Sequence, residues 1–245
     1  AKETPKLVDG VYQIENAAQL VGLQSIVYSA NNDVEARQKL KVKLVNDIDM
    51  QDVYLQKTEA QFYGDFDGNG KKLYHLNLNG GTGGLYLFKQ NHGTIRNLGI
   101  ELSTNLITSG NFGALCNINY GTIENCYVKG NLSIAMGSTG GNIGGLVNLN
   151  ETTGKILNSY HEGEIIVTRG NNIGGLCAFN SGLIDRCYHK GNITVSNLEE
   201  FSSTNIGGIA GNNIDQNRQY LGTIQNCYSA ALMHNTGYWG SDMFS

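Results

Sequence analysis

Five copies of one short pattern dominate the chain. GTIRNLGI starts at Gly93, GTIENCYV at Gly121, GKILNSYH at Gly154, GLIDRCYH at Gly182 and GTIQNCYS at Gly222. A second pattern precedes each copy: LYLF from Leu85, FGALC from Phe112, IGGLV from Ile143, IGGLC from Ile173 and IGGIA from Ile206. Copies of the first pattern start 28, 33, 28 and 40 residues apart. Units of this length cannot bury their apolar faces alone, so they must stack on one another.

Each unit holds two or three short runs bounded by Gly, Asn or Ser, such as IGGLCAF, GLIDRCYH and NITVS. Runs of this kind read as strands. Continuous helical periodicity is missing, and the glycines oppose it. The chain's 33 glycines and 30 asparagines, against one proline, favour turns with positive φ. The hairpin turns of a β-propeller blade are not found between the runs. The pattern predicts an all-β, right-handed parallel β-helix (a β-solenoid), its hand following the crossover rule. Like residues should stack about 4.8 Å apart along the axis. One domain is expected over residues 1–245: cap and first strands to 45, repeat coils over 46–231, and a cap or linker over 232–245.

Alternation along a strand assigns faces. Leu98, Ile100 and Leu102 in NLGIEL share one face, which requires a corner at Asn97. The inward column is then Leu98, Cys126, Ser159, Cys187 and Cys227, followed by Ile100, Val128, His161, His189 and Ser229. Asn97, Asn125, Asn158 and Asn226 should stack at the corner, with Arg186 interrupting them. Cys116 and Cys177 fall in another column beside Val147 and Ala210. All five cysteines read as small buried hydrophobes. No metal-type spacing is present; a Cys187–Cys227 disulfide is the alternative.

The outward column reads Gly99, Tyr127, Tyr160, Tyr188 and Tyr228. The tyrosines are the candidate ligand-binding residues. They form either a ring-on-ring ladder that covers the strand or a strip for glycan or protein contact. His161 and His189 read as a satisfied buried pair, since no third ligand falls at matching spacing. Glu124 and Asp185 share an outward motif position, as a glycosidase pair would need, but Leu157 intervenes. Asp65, Asp67 and Asn69 in DFDGNG imitate a calcium loop. Its twelfth position is Leu76 where an EF-hand needs Glu. A turn entering the solenoid is expected there, with a calcium site including Asp47 or Asp49 as the alternative. No metal or other cofactor is expected.

The ends need covers. Asn16 can cap a helix over residues 17–29, with Ala17, Leu20, Leu23, Ile26 and Val27 on one side. Tyr238, Trp239 and Phe244 could cover the last coil. Charged residues make up 16% of the chain and net charge is −4, without a basic cluster, which argues against nucleic acid and anionic membrane as partners. No apolar run reaches the ~18–20 residues that span a bilayer. The chain opens on Ala1 without a signal segment, as a processed chain would, and a monomer is expected.

The repeats resemble those of GLUG-motif proteins, which read like VGGLVGxN followed by GxIxNCYxxGxV. The resemblance covers residues 84–231 and extends upstream through NDIDM (46–50) and FYGDFDGNGKKL (62–73). The last Gly of the GLxG core survives only at Gly211; Asn117, Asn148 and Ala178 stand in the other copies. The resemblance implies a bacterial cell-surface or secreted β-helix used in adhesion or recognition of a glycan or protein. It also extends to immunoglobulin-A-cleaving peptidases, outside their catalytic part. A polysaccharide-active lyase or hydrolase and a structural stalk are the alternative functions.

Overall fold

The computed structural model describes the chain apart from residues 52, 54, 56–58, 78–85, 104–105, 108–110, 136–140, 197–203 and 236–245, and the side chains of 106–107. One coil illustrates the rest. Strand Lys155–Leu157 turns inward Ile156, and Asn158 (φ 47°) makes a corner into Tyr160–Glu162. Strands Ile165–Thr168, Asn172–Gly174 and Cys177–Asn180 complete the circuit. Like strands pair in parallel from coil to coil, giving sheets of nine, seven, five, six and three strands. The expected parallel β-solenoid is the fold.

Two local expectations change. The IGGLC run is two strands, because the chain bends at Gly175 and Leu176 between Asn172–Gly174 and Cys177–Asn180. The first strands, expected within residues 1–45, also include one ahead of the capping helix. Strand Val11–Ile14 pairs in parallel with Lys41–Leu44 and antiparallel with Lys6–Val8. VYQI carries no repeat motif, so periodicity could not reveal it.

Helix Ala17–Ala30 and the short helix Val34–Gln38 connect those two parallel strands. Asn16 accepts a hydrogen bond from the Gln19 amide at 2.9 Å, and Gln19 Oε1 accepts one from the Glu15 amide at 2.7 Å. This reciprocal pairing satisfies amides that a helix start otherwise leaves open. Leu20, Leu23 and Val27 are fully buried and join the solenoid core. The helix is therefore the N-terminal cap. Ile26 is only partly buried against that core.

The corner conformation repeats at Asn97, Asn125, Asn158, Arg186 and Asn226, with φ from 47° to 55°. Asn tolerates this left-handed region better than most residues. Arg186 keeps the backbone turn while breaking the amide column. Amide bonding at this corner is partial: Asn125 Nδ2 donates to Asn97 Oδ1 at 2.8 Å, and Asn226 Nδ2 to Asp185 Oδ1 at 2.9 Å. The long ladder lies elsewhere. Asn91, Asn119, Asn150, Asn180 and Asn213 donate one to the next at 2.8–2.9 Å. It sits at the end of the second pattern, as in LVNLN and LCAFN.

Leu98, Cys126, Ser159 and Cys187 are buried as their column requires, whereas Cys227 in the last coil is only half-buried. All five thiols are free, so the Cys187–Cys227 disulfide is not formed. Burial pushes the Cys126 and Cys187 thiols up to about 12, which makes them unreactive. Ser159 is satisfied in the same column: its Oγ accepts from the Cys126 amide at 3.1 Å and donates to the Leu157 carbonyl at 2.8 Å. The motif's first Gly has a steric reason. A Cβ on Gly121 would lie 2.1 Å from the Gly93 carbonyl oxygen of the preceding coil.

Candidate ligand-binding face

The tyrosine column lies on the seven-stranded sheet. Gly99, Tyr127, Tyr160, Tyr188 and Tyr228 are direct partners across parallel strands. Consecutive tyrosine rings stack with centroids 5.3, 4.6 and 4.9 Å apart and planes within 10°. Gly99 opens the column because a Cβ there would meet Tyr127 Cζ at 2.3 Å; the ring leans over the preceding coil. Such stacked pairs contribute about 0.5–1.5 kcal/mol each beyond area burial. The ring faces of Tyr160 and Tyr188 are covered by neighbours. Ring edges and hydroxyls are what this part of the strip presents. Tyr228 has a ring neighbour on one side only among the described residues and is 51% exposed.

Two residues along each strand the same outer face carries Glu101, Lys129, Glu162 and Lys190, again in register. Their charges alternate in sign. Lys72 adds an ion pair to Glu101 at 3.0 Å. Lys129 Nζ sits 5.1 Å from the Tyr127 ring centre, and Lys190 Nζ 5.1 Å from that of Tyr188, within cation–π range. The Tyr188 hydroxyl donates to Glu162 Oε1 at 2.7 Å. Burial, then that hydrogen bond, hold the Tyr188 phenol well above its usual range, so it stays a neutral donor. The face presents hydroxyls, ring edges and alternating charge.

Behind this face, His161 and His189 are both fully buried, with Nδ1 atoms 3.0 Å apart. Their Nε2 atoms face the carbonyl oxygens of Gly130 at 3.1 Å and Gly191 at 2.8 Å. Burial, reinforced by its partner ring, lowers His161 to about 3; burial lowers His189 as well. The pair is thus uncharged at neutral pH, and its two N–H groups fill two of these three contacts. Among the described residues no three His, Cys, Asp or Glu side chains gather to hold a metal.

The acidic candidates are engaged by protein. Arg96 grips Asp65 through Nε and Nη2 at 3.0 Å each and reaches Asp67 at 3.4 Å. Asn69 (φ 56°) and Gly70 (φ 71°) form the expected turn. Asp47 accepts from the Lys72 amide, and Asp49 pairs with His75. Glu124 and Asp185 are separated in register by Leu157. Asn226 and then Arg186 hold the Asp185 carboxyl below its usual range.

Solved structures place this geometry among known folds. No protein-family profile and no curated protein sequence matches the chain. A protein from Bacteroides ovatus, provisionally described as an immunoglobulin A1 protease, superposes with a TM-score of 0.59 at 20% identity. The match covers 100% of this chain and 82% of that one. A second, described as IgA1 protease, gives 0.57 at 14% identity, over 94% of this chain but 20% of its own. The likeness is one of fold. No helix among the described residues is long and apolar enough to cross a membrane.

A second aromatic stack was not anticipated from the sequence. Tyr63, His92 and Tyr120 stack at 4.2 and 4.6 Å, and Arg37 lies 3.8 Å above the Tyr63 ring. The signal was available: each residue directly precedes a motif or motif-like Gly, at Gly64, Gly93 and Gly121. The expected aromatic cover at Tyr238, Trp239 and Phe244 lies outside the described residues.

Proposed function

We propose that this chain is a GLUG-type recognition module presented outside the cell, with its ligand held along the seven-stranded sheet. The observation that carries the reading is the pairing of two in-register columns on one face. One is tyrosine edges and hydroxyls, from Tyr127 to Tyr228; the other is the alternating charges of Glu101, Lys129, Glu162 and Lys190. Such a face suits an extended polar ligand, a glycan or a protein segment, lying across several coils. The names of the structural neighbours add immunoglobulin A1 as the first ligand to try. Catalysis is less well supported. The carboxylates at a shared motif position, Glu124 and Asp185, are separated by Leu157, and Asp185 is engaged by Asn226 and Arg186.

The test is a glycan array together with immobilised immunoglobulin A1. Tyr160→Phe with Tyr188→Phe keeps the rings stacked and removes two hydroxyls; Lys129→Gln with Lys190→Gln abolishes the alternation without stacking like charges. Each pair should leave the melting curve nearly unchanged and weaken binding by about tenfold or more, or roughly 1.4 kcal/mol. Wild-type affinity in both stable variants would remove this face from consideration. Cleavage of immunoglobulin A1 or of a polysaccharide by the purified chain would replace the binding reading with an enzymatic one.

A further inference from the structure

The charge column of the seven-stranded sheet continues beyond Glu101 towards the N-terminal cap. Strand Lys72–Leu76 is bulged there. Leu73 pairs with Ile100 and Leu76 with Leu102, so Tyr74 and His75 together oppose Glu101. Bulges re-aim side chains. The extra residue is His75, at φ 53°, in a region that non-glycine residues seldom adopt. Its Nδ1 lies 2.9 Å from Oδ1 of Asp49, and Asp49 is the register partner of Tyr74 in the coil before. The column therefore reads Asp49, His75, Glu101, Lys129, Glu162 and Lys190, one residue per coil. With His75 protonated, its sign alternates without a break. The Gln51 amide, then His75, hold the Asp49 carboxyl below its usual range, so that rung stays anionic. Tyr74 and Lys72, the latter paired with Glu101, are the other polar neighbours of His75.

The cations His75, Lys129 and Lys190 recur on alternate coils. Coils about 4.8 Å apart place them about 9.6 Å from one another, over a span of about 19 Å. Lys129 and Lys190 lie against the Tyr127 and Tyr188 rings and, among the described residues, make no ion pair. Their charge is available to an anion. We propose that this column binds an acidic glycan with a carboxylate on every second sugar. The inference rests on the reading of this face as the ligand face, and it names the ligand class. Each carboxylate meets one of the three cations. Hydroxyl or amide donors of the intervening sugars meet Glu101 and Glu162, whose carboxylates have lone pairs for further hydrogen bonds. A pyranose disaccharide repeats over nearly the length of two coils. An extended peptide does not: its like-facing side chains recur about every 6.7 Å, so it loses register within a few rungs.

The test titrates the 245-residue chain at low ionic strength with two probes. One is a hyaluronan hexasaccharide, with glucuronic acid on every second sugar; the other is neutral cellohexaose. The acidic probe should bind at least about tenfold more tightly, and salt should erode the difference. Lys129→Gln with Lys190→Gln should weaken the acidic probe by about tenfold. Histidine changes charge between pH 5 and 8, so wild-type affinity should rise about threefold from about pH 7.5 to about pH 5.5, and His75→Gln should remove that rise. Melting curves certify the fold of each variant. Equal affinity for the two probes, or acidic binding indifferent to either set of substitutions, would overturn the proposal. A neutral array ligand that is lost with Lys129→Gln and Lys190→Gln would overturn the acidic assignment alone and leave the face as the ligand face. If no ligand responds to those substitutions, both readings fall.

Discussion

The His161–His189 pair is the most pH-sensitive element of the core. Both rings are neutral in the fold because burial opposes their charge. The sign follows from proton counting. Below the ordinary histidine value near 6.5 the unfolded chain binds protons that the folded chain does not, so stability falls as pH falls. The decline continues towards about 3, where His161 titrates in the fold. Between about pH 7.5 and about pH 5, His161 alone should cost the fold about 2 kcal/mol. Asp49, Asp185 and Asp215 are held below the usual carboxylate range and contribute only at lower pH. Thermal melts across this window should therefore shift clearly downward. Replacing both rings by valine, which occupies the same column at Val128, should remove most of that shift. The column itself was readable from alternation alone, once a corner was placed at the asparagine. The shared Nδ1 contact was not, since alternation fixes which way a side chain points and not which ring atom meets its neighbour.

Elements divide according to what holds them in register. The corner asparagines at positive φ serve the backbone, so Asn125→Gly should be nearly neutral in urea unfolding. The ladder asparagines serve each other. Asn150→Ala would remove the acceptor of Asn119 Nδ2 and the donor to Asn180 Oδ1 and to the carbonyls of Gly154 and Leu183. Each hydrogen bond of this kind contributes about 0.5–1.5 kcal/mol, so this variant should be clearly less stable than Asn125→Gly. Equal urea midpoints for the two would contradict the division. The sequence pointed to the corner column, which the structure has with partial amide bonding, and missed the longer ladder because the first motif is the more conspicuous. Asn91, Asn119, Asn150, Asn180 and Asn213 close the second pattern, whose letters differ more from copy to copy although its spacing, 28 to 33 residues, is the more even. Strand Val11–Ile14 and its hairpin partner were hidden for a related reason: they carry neither motif, and join the stack by pairing with Lys41–Leu44 and burying Ile14. Helix Ala17–Ala30 was legible because its cap and apolar spacing are local signals.

For the whole molecule, the repeats were enough to give the architecture, and the outer tyrosine face followed from it. What the face contacts is a property of a partner, which the repeat pattern does not spell out. The architecture makes its own prediction. Residues 151–180 form one circuit between the in-register Asn150 and Asn180. Deleting them should leave a folded solenoid about 4.8 Å shorter, measurable by small-angle scattering alongside unchanged β-sheet circular dichroism. An unfolded product would mean that the coils are not interchangeable.

The glycine that opens each motif bears on this. Gly121 lies against Gly93 with room for nothing larger than hydrogen, so neighbouring coils meet at one fixed spacing whatever their loops contain. Insertions such as the 40-residue interval before Gly222 are shed sideways and leave that spacing intact. A lineage carrying such a chain can therefore adjust its reach in whole steps, by gaining or losing coils, while the face that meets a ligand keeps the same pitch.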